Sequence, residues 1–361
     1  MRILVLAGEE SGMIYARGLR ARLQGHEVRG YQDYGFETSD LAVFGFGAVL
    51  RRLPFFLRVK RTMERVIDEW RPDVVCTIDY PGMNLKLAAY AKAKGIRAVH
   101  VVCPQVWAWH QNRIPKIEAS LDALCCFFPF EPLLFKSGFA TFVGHPLAKE
   151  FDAEEICDVD GRAASRLVAL LPGSRAGEIE RILPVLLDAA KLVKGARFSV
   201  PAANERVYSL ISKIVLARGM ADCVEVKLGG ARKLLRSAHC AAVASGTATL
   251  EAALARCPTV LVYRVSPVLA AFARRVIKGT KYIGLANIVW QRCGGTGDEP
   301  VMPELLQEQF TASSVAEILN LWLSNPAVRK AVSMRLDETV RHLDSVHDPL
   351  SSIVDVLLNR K

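Results

Sequence analysis

The sequence predicts an α/β protein made of two doubly wound units with a helical tail. Short apolar runs alternate with segments of helical period, the pattern of parallel strands joined by crossover helices. The alternation lapses at 146–165, where Pro146 leads into an acidic, irregular stretch, and then restarts. The length of 361 residues accommodates two or three domains at about 100 to 200 residues each.

In the first half the apolar runs place strands near 2–7, 73–78, 98–102, 123–127 and 140–143, with helices near 12–24, 56–70, 85–94 and 131–136. The second half places strands near 167–171, 197–200, 223–227, 240–244 and 259–263, with helices near 177–193, 204–218, 231–237 and 247–256. Beyond about 310 the pattern is wholly helical and ends in an amphipathic segment carrying Ile353, Val354, Val356, Leu357 and Leu358. The expected organisation is 1–150, 151–335 and a tail over 336–361.

Composition narrows the class. Hydrophobic residues make up 51% and charged residues 23%, which excludes a disordered or low-complexity chain. A net charge of +10 favours anionic partners: nucleic acid, phosphorylated metabolites or acidic headgroups. Nine cysteines lie mostly in apolar runs without a C-x-x-C pair and read as buried thiols of a reducing compartment. The first strand runs into a glycine turn with no room for a signal peptide, and no apolar run reaches the roughly 18 residues of a spanning helix. A cytoplasmic protein is expected. The seven histidines show no ligand spacing, so no metal site is expected; Asp158-Val159-Asp160 lies in the linker and reads as solvated.

In open α/β sheets ligands bind outside the carboxyl ends of strands, which directs attention to four loops. Gly8-Glu9-Glu10-Ser11-Gly12 is either a plain turn or a helix start whose amides hold a phosphate or carboxylate; it lacks the dinucleotide fingerprint. Leu171-Pro172-Gly173-Ser174-Arg175 presents a guanidinium suited to a diphosphate, with a surface ion pair as the plainer alternative. Ser245, Gly246, Thr247 and Thr249 open a helix after an uncharged strand, either as caps or as an anion site. Asp79 ends a strand before Tyr80-Pro81, placed either to cap a turn or to act as a general base toward a sugar hydroxyl in a cleft. Trp107 and Trp109 are sugar or acyl-chain platforms, or core aromatics. The segments 50–61 and 267–278 set large hydrophobes beside clustered cations, as in a helix on an anionic membrane or one packed on a neighbour with its cations in water.

Taken in order, these motifs resemble the lipid-A-disaccharide synthase family of GT-B-type glycosyltransferases. The resemblance is carried by Gly8-Glu9-x-Ser11-Gly12, Ile78-Asp79-x-Pro81-x-x-Asn84, Val106-Trp107-Ala108-Trp109, Phe128-Pro129-Phe130-Glu131 and Val143-Gly144-His145-Pro146. It continues through Leu170-Leu171-Pro172-Gly173-Ser174-Arg175-x-x-Glu178-Ile179, Ala244 to Glu251, Tyr263-Arg264-Val265-Ser266-Pro267 and Pro303-Glu304-Leu305-Leu306-Gln307. It implies two Rossmann-like domains facing a cleft, an acceptor-side first domain and a UDP-sugar-binding second domain. It further implies transfer, with inversion, of 2,3-diacylglucosamine from UDP to the 6-hydroxyl of 2,3-diacylglucosamine 1-phosphate, releasing UDP.

By the same resemblance Asp79 is the general base. Arg175 lies near the diphosphate, Ser245, Gly246, Thr247, Thr249 and Glu251 lie around the phosphates and ribose, and Tyr263 and Asn287 lie nearby. Gly8, Ser11, Gly12, Trp107 and Trp109 belong to a phosphate or acceptor loop. No metal or other cofactor is expected, since helix dipole and arginine neutralise the leaving UDP. The basic, apolar segments become contacts with the inner face of the cytoplasmic membrane, and a homodimer exchanging C-terminal segments is an option.

The first half departs from the family pattern. Met13, Ala48 and Gly82 stand where the family carries acids, His110 replaces an arginine, a glycine-rich loop after the second strand is missing, and 292–300 holds a small insertion. A non-catalytic or acceptor-altered paralogue that binds a UDP-sugar or lipid is therefore the alternative. A UDP-sugar epimerase would need further acid/base pairs, and a nucleic-acid binder is disfavoured because the cations are interleaved with large hydrophobes.

Overall fold

The computed structural model describes residues 1–41, 52–152, 161–162, 165–276, 279–295, 299–345 and 347–359. They form two compact units, Met1–Pro146 with Leu343–Lys361, and Leu147–His342. The tail expected over 336–361 is divided. Its first residues finish helix Pro326–Arg341 of the second unit, and the rest belongs to the first.

The first unit is built on β1 (Arg2–Ala7), β2 (Glu27–Arg29), β3 (Val74–Ile78), β4 (Arg97–Val101), β5 (Ala123–Cys126) and β6 (Ala140–Phe142), all parallel in the order β2-β1-β3-β4-β5-β6. Strand β3, Val-Val-Cys-Thr-Ile, is buried throughout, as a parallel strand covered on both faces must be. The pleat sorts its neighbours. Ile3, Val5 and Ala7 point to one side, onto α1 (Glu10–Arg22), while Leu4 and Leu6 point to the other, onto α2 (Leu53–Trp70) and α3 (Pro81–Ala93). Helix α2 meets the sheet with Phe56, Val59, Met63, Val66 and Ile67, spaced three and four apart as one face of a helix requires.

The last helix of the chain packs on this unit. Pro349–Leu358 begins at Asp348, whose carboxylate accepts Ser351 N at 2.9 Å and pairs with Arg22 at 3.1 Å. Its Ile353, Val354 and Leu357 are buried with Ile3, Val5, Cys76 and Val99. Burying each such side chain contributes about 1.5–3 kcal/mol, so the residues around 355 are part of the first core and not an appendage.

The second unit carries β7 (Leu167–Leu171), β8 (Arg197–Ala202), β9 (Val224–Leu228), β10 (Cys240–Ala244), β11 (Thr259–Tyr263) and β12 (Glu304–Leu306), parallel in the order β12-β11-β10-β7-β8-β9. Among the described residues each sheet therefore has six strands rather than the five expected. The additional ones, β2 and β12, are three-residue edge strands too short to announce themselves by periodicity. The helix expected near 131–136 is a single 3₁₀ turn, Pro132–Leu134, and Ile114–Ser120 is an unexpected helix.

Strand order reverses between β1 and β3 in the first unit and between β7 and β10 in the second. At such a point successive connections leave on opposite faces of the sheet and open a crevice at the carboxyl ends. The loops singled out from sequence flank these two points.

Candidate active site

In the second unit, the loops after β7, β8, β9 and β10 enclose a cavity of about 380 Å³. Gly173, Ser174 and Arg175 line it from one side of the reversal, and Ser245, Gly246, Thr247 and Glu251 from the other. Gly173 adopts φ +103, a backbone that favours glycine, and a Cβ there would fall 2.7 Å from Glu178 Oε2, so a side chain would have to push the Glu178 carboxylate aside. Arg175 Nη1 donates to Glu178 Oε1 at 3.0 Å, with its side chain 59% exposed. A pair this exposed is worth about 0–1 kcal/mol, so exchanging the carboxylate for a diphosphate costs little.

After β10 the chain turns at Gly246, φ +152, into helix Thr247–Leu254. The first amides of this helix and its positive dipole end are the donors a phosphate needs. Glu251 is held by Arg232, whose Nε donates to Oε1 at 2.9 Å while the same guanidinium bonds Glu150. Sequence reading missed Arg232, since a lone arginine on a short helix carries no motif.

Other residues expected here are placed differently. Thr249 is buried and its hydroxyl donates to Gly246 O at 2.8 Å, so it stabilises the turn that precedes the helix. Asn287 is buried with its amide bonded to Met302 O, Met302 N and Glu304 Oε1, each at 2.8 Å, stapling its helix to the approach of β12. Tyr263, at the end of β11, lies in the fields of Glu178 and Arg175, and burial raises its phenol pKa. These three are not among the residues lining the cavity.

In the first unit, Asp79 follows β3 at the reversal. Its Oδ1 accepts Tyr80 N at 2.9 Å, and burial raises its carboxyl above the usual range. Gly8, just past the end of β1, lies against Tyr80. A Cβ on Gly8 would fall 2.5 Å from Tyr80 Cδ1, so the glycine is what lets the Tyr80 ring lie on this loop. Gly12 is buried in the first turn of α1; the side chain of Ser11 lies outside the described residues. At the three positions lacking an expected acid, the thioether of Met13 accepts Gln32 Nε2 at 3.1 Å, Gly82 has nothing within 4 Å of its would-be Cβ, and Ala48 lies outside the described residues. The linker pair Asp158 and Asp160 also lies outside them.

The two tryptophans separate. Trp107 is buried, edge-on to Phe130, and its Nε1 donates to Glu131 Oε1 at 3.2 Å, a core brace. Trp109 is 43% exposed beside His110. Glu131 also accepts Phe128 N at 3.1 Å, and burial pushes its carboxyl up to about 8. Cys103 and Cys126, with the Glu131 carboxylate, present potential ligand atoms within 4.8 Å of one another, a grouping sequence spacing did not reveal. Both oxygens of that carboxylate already serve as acceptors, Oε1 for the Trp107 indole and Oε2 for Phe128 N of its own loop.

Of the two basic, apolar segments, the first begins α2. There Phe56 and Val59 enter the core, while Leu53 and Leu57 stay exposed beside Arg52, Arg58 and Arg61. In the second, helix Pro267–Val276 exposes Leu269 and Arg275. No helix among the described residues is long and apolar enough to cross a membrane.

Comparison with known proteins agrees with this layout. A family model described as lipid-A-disaccharide synthetase matches residues 3–348. A lipid-A-disaccharide synthase of Chromohalobacter salexigens is 34% identical over 366 residues, covering 93% of this chain and 91% of its own. One from Neisseria meningitidis is 36% identical, covering 94% and 93%. Among solved structures, UDP-GlcNAc 2-epimerase from Neisseria meningitidis bound to UDP-GlcNAc gives a TM-score of 0.60 at 12% identity over 99% of this chain and 100% of that one. A glycosyltransferase from Rickettsia africae gives 0.56 at 10% identity over 99% and 98%. At such identities the structural likeness speaks for the fold, which is GT-B with two Rossmann-like domains. The family model and the relatives go further: this chain belongs to the lipid-A-disaccharide synthase family and is a glycosyltransferase of lipid A biosynthesis.

Proposed function

We propose that the protein transfers 2,3-diacylglucosamine from UDP to the 6-hydroxyl of 2,3-diacylglucosamine 1-phosphate, with inversion, releasing UDP. The observation that carries this reading is the pocket at the β7/β10 reversal, where a glycine-held arginine and a helix start converge on one cavity. In the transfer, Asp79 removes the proton of the acceptor hydroxyl as its oxygen bonds the anomeric carbon, and the bond from that carbon to the UDP oxygen breaks. The charge left on the diphosphate meets the amides opening helix Thr247–Leu254 and the Arg175 guanidinium, and Glu251 holds the ribose.

The protein acts at the inner face of the cytoplasmic membrane, where its acylated substrates reside. The exposed Leu53 and Leu57, with exposed Arg52, Arg58 and Arg61 on the same segment, support this, since that combination suits an anionic bilayer surface. Mass spectrometry of the product formed from the two lipid precursors, together with UDP release, tests the reading; a disaccharide 1-phosphate is expected. The replacement of acids by Met13 and Gly82 favours a second reading, an acceptor-altered or non-catalytic paralogue. Tight UDP binding with no disaccharide from these precursors would select it.

A further inference from the structure

Asp79 rests on backbone that two ordinary residues seldom share. Asp79 and Tyr80 have φ of 49° and 51°, consecutive non-glycine residues in the left-handed region. Such backbone is strained for a residue with a Cβ, so their surroundings must enforce the turn.

The side chain of Asn84 does so. It is fully buried in the second turn of α3, and its Nδ2 donates to Asp79 O at 2.9 Å, Ile78 O at 3.0 Å and Leu6 O at 3.0 Å. One amide thus ties the ends of β1 and β3 together at the strand reversal and holds the peptide that carries the carboxylate. Its Oδ1 accepts the hydroxyl of Tyr31 at 2.8 Å. Tyr31 is itself buried, and burial raises its phenol pKa, so it remains a donor. The orientation of the amide is unambiguous, because reversing it would aim Oδ1 at three carbonyls. Behind Tyr80, the bare Gly8 admits its ring, so the turn is gripped from two sides.

We propose that Asn84 is a positioning residue for Asp79 and that Tyr31 in turn sets Asn84, so that a Tyr31–Asn84–Asp79 chain aims the carboxylate at the acceptor hydroxyl. The proposal rests on Asp79 being the base. Tyr31→Phe keeps the ring and deletes only the hydroxyl, and losing that hydrogen bond lowers kcat about three- to tenfold. Asn84→Ala lowers it further. In both variants the KM for the UDP-sugar and the Kd for UDP stay at the wild-type value, because those contacts belong to the second unit.

The test is a double-mutant cycle on the full chain, with UDP release from UDP-2,3-diacylglucosamine measured in the presence of the monosaccharide 1-phosphate, and UDP affinity measured by calorimetry. If the chain acts through Asp79, Tyr31→Phe has no further effect once Asp79→Asn is present, whereas a general loosening of the fold lowers the rate equally in both backgrounds. Equal loss in both backgrounds, wild-type kcat for Tyr31→Phe, or a loss appearing as weaker UDP binding each overturns the proposal while leaving Asp79 as the base. Wild-type turnover by Asp79→Asn alone removes the base assignment and the proposal with it. Should Asn84→Ala fail to fold, Tyr31→Phe decides.

Discussion

The two strand reversals solve opposite problems with opposite materials. At β7/β10 the groups are glycine backbone, hydroxyls at a helix start and a guanidinium three-fifths exposed, paired with Glu178 three residues on and open to exchange partners when an anion arrives. At β1/β3 a half-buried carboxylate stands on left-handed backbone, with an amide bonded to three carbonyls beneath it and a tyrosine ring packed on Gly8 beside it. Holding a diphosphate takes donors and charge that adjust to the ligand. Taking a proton in a transition state takes a base whose direction and solvation are fixed in advance. On the function proposed above, the same topological position is thus furnished pliantly for binding and stiffly for chemistry.

This contrast is open to direct attack. The largest effect is expected for Asp79→Asn, which should cut turnover by about 10²–10⁴-fold with UDP affinity unchanged, measured by UDP release and calorimetry. Because burial raises the carboxyl pKa and only its ionised form accepts a proton, the acid limb of kcat/KM should lie above the usual aspartate range. A limb at ordinary aspartate pH would break the picture of a desolvated base.

Leu357→Ala should destabilise the first unit by about 2–5 kcal/mol, seen in thermal unfolding, with little change in UDP binding by the second. Arg175→Ala should instead weaken UDP binding by about 10- to 100-fold, as expected for losing a hydrogen bond between charged groups, with the acid limb unmoved. The two glycines make a finer comparison. Gly8→Ala must displace Tyr80 and should lower kcat several-fold, whereas Gly173→Ala must displace Glu178 and should raise the Kd for UDP by a factor on the order of ten. If both substitutions moved the same parameter, the division of labour would fail. The smallest effect belongs to the surface: Leu53→Gln with Leu57→Gln should weaken sedimentation with anionic vesicles by about two- to threefold, leaving UDP affinity intact.

Much of this was legible in the sequence because parallel strands buried on both faces read as unbroken apolar runs. Leu167 to Leu171 and Cys240 to Ala244 declared both themselves and the loops that follow them. Edge strands of three residues did not, since Glu27–Arg29 carries two charges and no periodicity. At the site, residue type in a strand-end loop pointed to Asp79, Arg175 and Ser245, but could not tell an outward hydroxyl or ring from an inward one. Thr249 and Trp107 turned inward. The Tyr31–Asn84 contact joins residues 53 positions apart through a side-chain hydrogen bond, which no local pattern encodes. Arg232 and Glu150, 82 positions apart, escaped for the same reason.

The return of residues 343–361 to the first unit bears on how the protein is made. Ile3 and Val5 share their core with Ile353 and Leu357, so the first unit cannot close its core until the residues around 357 have left the ribosome. At about 5–20 residues per second that wait is on the order of tens of seconds, during which the apolar face of β1 has no lasting cover. The second unit is continuous in sequence and carries no such delay, so the order of synthesis is reversed in the order of completion.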